Sequence, residues 1–148
     1  MGARRTAGST PAEGAGRVIL LDTNAVIRID ELSFIDDSLA LSALTLAELQ
    51  FGIEHAKDPS ARRRRRDELS YVRHTLGVPE LPFDREAAEG YGRMAAIVAK
   101  TRPAHARSTD TFLAGHAFAL GAAIMTFNAR DFELVADEVE IIDAGRQG

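Results

Sequence analysis

The 148-residue chain contains no cysteine, which excludes disulfide frameworks, thiolate metal sites and cysteine nucleophiles and suits a reducing compartment. It also lacks any apolar run approaching the ~20 residues that a membrane-spanning helix needs. The opening MGARRTAGSTPAEGAGR has no continuous hydrophobic stretch, so residues 1–16 read as a flexible tail and not as a signal peptide. No P-loop or G-x-G-x-x-G stretch is present, which argues against a phosphate-cradling nucleotide site. The histidines, His55, His74, His105 and His116, show no metal-ligand spacing such as H-x-x-x-H and read as structural or surface residues. A net charge of −4 does not by itself suggest a polyanionic partner, although the distribution of charge matters more than its sum. The expectation is a soluble, cytoplasmic protein with one domain over 17–145 and no membrane partner, since this length supports one core and is short for two.

What is present is the composition of an ordinary folded domain, 45% hydrophobic and 27% charged. RVILLD, residues 17–22, is a β-branched and Leu-rich run too short for a helix and fits a buried strand. Thr23 to Asp30 then reads as helical. SLALSAL, 38–44, is a second strand candidate, followed by TLAELQFGIEHAK, where Leu46, Leu49 and Ile53 recur at helical spacing. Asp58-Pro59 is a good helix start and Gly77 a natural stop, so a helix is predicted over about 59–76. VPELPF, 78–83, is a weak strand whose prolines place it at a sheet edge. Asp84 can cap a helix over about 85–101, in which Gly90 and Gly92 argue against regularity. TFLAGHAFALG, 111–121, is an apolar helix ended by glycine; AAIMT, 122–126, and VEIID, 139–143, complete five strands. Strands alternating with helices imply an α/β three-layer sandwich, a central parallel sheet with helices on both faces.

In such sheets ligands bind in the crevice outside the carboxyl ends of the strands, and four acids are expected there. Asp22 closes the first strand, Glu48 falls in the first turn of the helix after the second, Asp110 opens the helix before the fourth, and Asp131 follows the fourth with Asn128 beside it. Two carboxylates about 4 Å apart repel by roughly 4 kcal/mol at an effective dielectric near 20, a penalty that a divalent cation removes. Oxygen ligands without His or Cys favour Mg²⁺ or Mn²⁺ over zinc, and such ions activate water against a phosphodiester. Each acid alone reads better as a helix cap: Thr45-x-x-Glu48 matches a capping box, Asp22 and Asp110 stand before helices, and Asn128 or Asp131 can cap the turn that follows. Capping does not require all four to gather at one edge.

The stretches LLDTNAVI, SALTLAELQFGI, STDTFLAGHAFALGAAIMTFNARDF and VEIID resemble the PIN-domain ribonucleases, specifically the VapC toxins of prokaryotic VapBC toxin–antitoxin pairs, over about residues 17–143. The resemblance implies a PIN fold, Mg²⁺- or Mn²⁺-dependent endoribonuclease activity on tRNA or rRNA, inhibition by a VapB-like antitoxin, and a homodimer. It carries the family's acids onto Asp22, Glu48 and Asp110, leaves the fourth place open between Asp131 and Asn128, and gives Thr23 and Asn24 a role in orienting Asp22 or a water. The alternative is a PIN-like RNA-binding or interaction module without catalysis. A dehalogenase-like phosphotransferase would want an acid two residues after Asp22, where Asn24 stands, and the acidic pair and lysine of a receiver domain are missing.

Five consecutive arginines, Arg62, Arg63, Arg64, Arg65 and Arg66, spread around a helix at about 100° per residue and cannot share one face. They read as a solvated helix start, with RNA or antitoxin contact as the functional option. Phe112, Phe118, Phe127 and Phe132 read as core and not as base-stacking platforms. Asp143 also closes a strand, but one expected at the sheet edge, away from the crevice.

Overall fold

The computed structural model describes residues 17–32 and 38–146; the expected N-terminal tail lies outside them. β1 (Ile19–Leu21), β2 (Leu39–Ser42), β3 (Glu80–Leu81), β4 (Ala123–Thr126) and β5 (Ile141–Asp143) form one sheet in the order β3-β2-β1-β4-β5. Every pairing is parallel. The three inner strands are buried throughout and apolar up to the polar ends Ser42 and Thr126, because the sheet is covered twice. Leu20, Ala40 and Ile124 face a core with Met94, Val98, Leu113 and Phe132. Ile19, Leu21, Leu39, Leu41 and Met125 face the other, with Val26, Val72 and Val78. β3 sits at the edge, where its flanking prolines cost no ladder bonds.

The helices are α1 (Thr23–Ile27), α2 (Ala43–His55), α3 (Pro59–Ser70), α4 (Arg85–Ala99) and α5 (Thr109–Leu120). Two differ from the sequence reading. α1 stops at Ile27 and a 3₁₀ turn, Ile29–Glu31, follows; the break at Arg28 turns Ile29 into the core. α3 begins on the Asp58 cap, whose side chain accepts from Ala61 N–H at 2.8 Å, but passes into a wider π turn at Tyr71–Thr75, with Val72 fully buried. Gly121 ends α5 in the left-handed conformation, φ 64°, which glycine adopts without a Cβ penalty. Among the described residues no helix is long and apolar enough to cross a membrane.

α4 is regular through both of its glycines. Gly90 is there because α4 and α5 touch backbone to backbone: a Cβ on Gly90 would lie 2.2 Å from Gly115 O, and one on Gly115 would lie 2.3 Å from the Tyr91 backbone. Beside this crossing the Tyr91 and Phe112 rings stack at 3.8 Å. Gly92 meets nothing within 4 Å. Gly90→Ala or Gly115→Ala should therefore cost about 3 kcal/mol or more in denaturant unfolding, because backbone must move. Gly92→Ala should gain up to about 1 kcal/mol from helix propensity.

Candidate active site

The strand order reverses direction between β1 and β4, and the site forms where these two strands emerge. Leu21 pairs with Met125, so the following residues, Asp22 and Thr126, stand side by side. Asp22 is 7% exposed and its carboxylate is held at both ends. Oδ1 accepts the Thr23 N–H at 2.8 Å, as an N-cap does, and Oδ2 accepts the Thr126 hydroxyl at 2.8 Å. Asn24 reaches across the same gap: its Oδ1 accepts the Phe127 N–H at 2.9 Å, and its Nδ2 lies 3.4 Å from Asp22 Oδ2. The Thr23 hydroxyl donates to Glu48, so Thr23 links the first acid to the second by its backbone and side chain. A polar cluster thus replaces the next turn of an otherwise apolar strand.

Two of the remaining acids are not needed as caps. α2 starts on Ser42, whose hydroxyl accepts from Leu44 N–H at 3.0 Å. The capping box expected at Thr45-x-x-Glu48 is therefore not formed, and Glu48 lies in the second turn and not in the first. Thr45 is instead buried, with its hydroxyl donating to Leu21 O at 3.2 Å. α5 starts on Ser108, which accepts from Thr111 N–H, so Asp110 sits inside the first turn with no capping bond. There its charge gains only from the helix dipole. Asp131 lies in the 3₁₀ turn Ala129–Val135 after β4. Asn128 begins that turn without a side-chain capping bond, and its backbone N–H donates to Thr126 Oγ1 at 2.9 Å.

The electrostatics show which charges face one another. Burial pushes the Asp22 carboxyl above its ordinary value against the hydrogen bonds from Thr126 and Thr23, and Glu48 and Asp131 add repulsion. Asp110 is pushed up to about 7, first by burial, then by Asp22, Asp131 and Glu48 in turn, with Arg102 opposing. Asp22 and Asp110 therefore each feel the charge of other expected acids. Asp143 ends edge strand β5 opposite Thr126 and accepts the Gly145 N–H. Among the described residues no three acids or histidines stand close enough to close around one ion as their side chains are placed.

The PIN domain family model matches residues 19–138, a span that holds all four acids. The chain belongs to the PIN domain family. Among its relatives, VapC ribonuclease Y4jK of Sinorhizobium fredii is 33% identical over 130 residues, 78% of this chain and 91% of that protein. Ribonuclease VapC4 of Mycobacterium tuberculosis is 33% identical over 133 residues, 85% of this chain and 96% of that one. A chain of VapBC-5, a member of the VapBC family of toxin–antitoxin systems from Mycobacterium tuberculosis, superposes with a TM-score of 0.69 at 27% identity, covering 86% of this chain and 98% of that chain. The five-stranded parallel sheet is the PIN architecture that the motifs implied.

Other residues of this PIN domain fall into place around the acids. Thr126 went unnoticed in the sequence; its signal is a hydroxyl at the end of a strand that pairs with the Asp22 strand. His116 is a core residue, its Nδ1 2.8 Å from the Ser42 hydroxyl, and burial lowers its pKa. Phe132 is buried, while Phe112, Phe118 and Phe127 are half-buried and packed, Phe127 beneath the Arg28 guanidinium at 3.7 Å. The arginine run divides its work. Arg65 and Arg62 donate to Gly52 O and Ala56 O at the C-terminal end of α2, whereas Arg63 and Arg66 point to solvent. Arg64 and Arg65 line a groove of about 860 Å³ between α1, α2 and α3, together with Ile27, Phe51 and, at the acid end, Glu48.

The raised Asp110 value sets a pH dependence. Between 3.8 and about 7 the folded chain keeps a proton that the unfolded chain has released, so stability from this group falls as pH rises through that window and stays low above it. Chemical denaturation of the metal-free protein should show lower stability at pH 8 than at pH 5. Asp110→Asn should recover about 1–2 kcal/mol at the higher pH and much less at the lower.

Proposed function

We propose that this chain is a toxin-like endoribonuclease that hydrolyses phosphodiester bonds in RNA such as tRNA or rRNA, uses Mg²⁺ or Mn²⁺ held by Asp22, Glu48, Asp110 and Asp131, and is neutralised by a VapB-like antitoxin. The observation that carries the reading is the gathering of four acids at the mouth of β1 and β4, two of them, Glu48 and Asp110, with no capping task. That gathering costs the metal-free protein stability, which a structural role would not require. The donor set is oxygen throughout, which fits a hard divalent cation. Such an ion lowers the pKa of a bound water and offsets charge on the phosphate.

The chain's own residues divide into fixed and adjustable parts. Thr126 and the Thr23 backbone fix Asp22, and Asn24 ties the end of β4 to α1. Glu48 is exposed on α2 and free to turn toward a phosphate or an ion while the Thr23 hydroxyl steadies it. Nothing favours the inactive-module reading, and the mutual action of Asp22, Glu48, Asp110 and Asp131 supports the hydrolytic one. Antitoxin docking is supported by the groove beside Glu48, whose apolar wall leaves Ile27 52% and Phe51 67% exposed. An amphipathic segment with a basic residue at the acid end would cover that surface and neutralise the pocket.

Cleavage of labelled RNA under Mg²⁺ or Mn²⁺ titration tests the reading. Activity should disappear with EDTA and return with added metal. Asp22→Asn, Glu48→Gln and Asp110→Asn should each lower the cleavage rate by ~100-fold or more, beyond the loss typical of residues that only orient a ligand. Folding should be kept, because Asn caps a helix about as well as Asp at position 22 and the helices of Glu48 and Asp110 are capped by Ser42 and Ser108. Metal-independent cleavage, or full activity in all three variants, would refute the proposal.

A further inference from the structure

His105 lies in the 3₁₀ turn Pro103–Arg107, five residues before Asp110. Its position is set by backbone bonds: its N–H donates to Arg102 O at 2.9 Å, and its carbonyl accepts the Ser108 N–H at 3.0 Å and the Thr111 hydroxyl at 2.9 Å. These last two residues bracket Asp110 at the start of α5, so ring and carboxylate are carried by one small rigid unit. The His105 side chain is 17% exposed, and its Nε2 is buried without a hydrogen-bond partner. Buried polar atoms are nearly always partnered, so an orphan of this kind calls for an explanation.

The complementary orphan is Asp110. Asp22 has the Thr126 and Thr23 donors and Glu48 has the Thr23 hydroxyl, whereas the Asp110 carboxylate accepts no hydrogen bond among the described residues. His105 Nε2 stands 3.9 Å from Asp110 Oδ2. That is too far for a hydrogen bond and close enough for a small side-chain rotation to make one. Both residues line a cavity of about 10 Å³ together with Asp131 and Thr111, so the rotation takes place beside another of the four acids.

We infer that His105 is a positioning residue for Asp110: the imidazole donates its Nε2–H to Oδ2 and leaves Oδ1 free for a divalent cation. The inference rests on the metal reading above. It gives Asp110 the orienting donor that Asp22 and Glu48 already have, and such donors set ligand affinity.

The test is Mn²⁺ titration of the full chain, followed by electron paramagnetic resonance, for wild type, His105→Leu and His105→Gln, with thermal unfolding of each metal-free protein alongside. His105→Leu should weaken Mn²⁺ binding by about 10–100-fold, and excess Mn²⁺ should restore RNA cleavage with the KM for RNA unchanged. His105→Gln, whose amide nitrogen reaches a similar point, should bind Mn²⁺ within about threefold of wild type. In wild type, nitrogen NMR should show the His105 Nε2 proton exchanging more slowly once Mg²⁺ is added. Equal Mn²⁺ affinity in all three proteins overturns the positioning role and leaves the metal reading standing. Failure of wild type to bind Mn²⁺ overturns both. Should the Leu variant fail to fold, an Nε2 proton that exchanges as fast with Mg²⁺ as without it overturns the role by itself.

Discussion

The burial of Asp22 and Asp110 beside two further acids, Glu48 and Asp131, is the cost against which the rest of this structure works. Asp110 is raised to about 7 by burial and by its three neighbours, and Asp22 is raised by burial despite two good hydrogen bonds. Left to itself, such a cluster would splay apart. It is held by a sheet whose inner strands are apolar on both faces and by helices anchored at their N-termini on Ser42 and Ser108. The core supplies the rigidity, and the acids use it up in readiness for a counter-charge.

How far the sequence revealed this depended on whether a signal was local. Continuous apolar runs made the parallel sheet readable because double burial leaves no polar positions to blur them. Asp22 stood out for the same reason, as a carboxylate interrupting such a run. Thr126 did not, because a hydroxyl closing a strand is commonplace and its task exists only once β4 lies beside β1. The capping box around Glu48 was a local signal that misled: Ser42 had already started the helix, which moved Glu48 from a capping position to an exposed one. Gly90 looked like a weakness of α4 and is the reason α4 and α5 can touch, a fact that depends on Gly115, 25 positions along. Asp131 acts on both Asp22 and Asp110 only through the path of the chain after β4, which no spacing rule describes.

The arginine run shows the same dependence on tertiary context. Five like residues in a row carry no hint of which is structural, yet Arg62 and Arg65 satisfy carbonyls where α2 ends, groups that would otherwise lack partners. α3 is thereby fastened to α2, and the wall of the groove beside the acids has a fixed shape. Arg64 shares that wall with Arg65, Glu48 and Glu68, which gives a largely apolar groove charges of both signs.

The pairing of β1 with β4 also orders events in time. Ile19 finds its partner Ala123 more than a hundred residues later in the chain, and contacts so distant form late because the intervening segment must first be closed into a loop. On the ribosome Asp22 is made 104 residues before its Thr126 donor. A chain truncated before β4 would carry Asp22 without its Thr126 donor and without the Asp131 charge that acts on it, so this acid cluster is assembled only after β4 has been made.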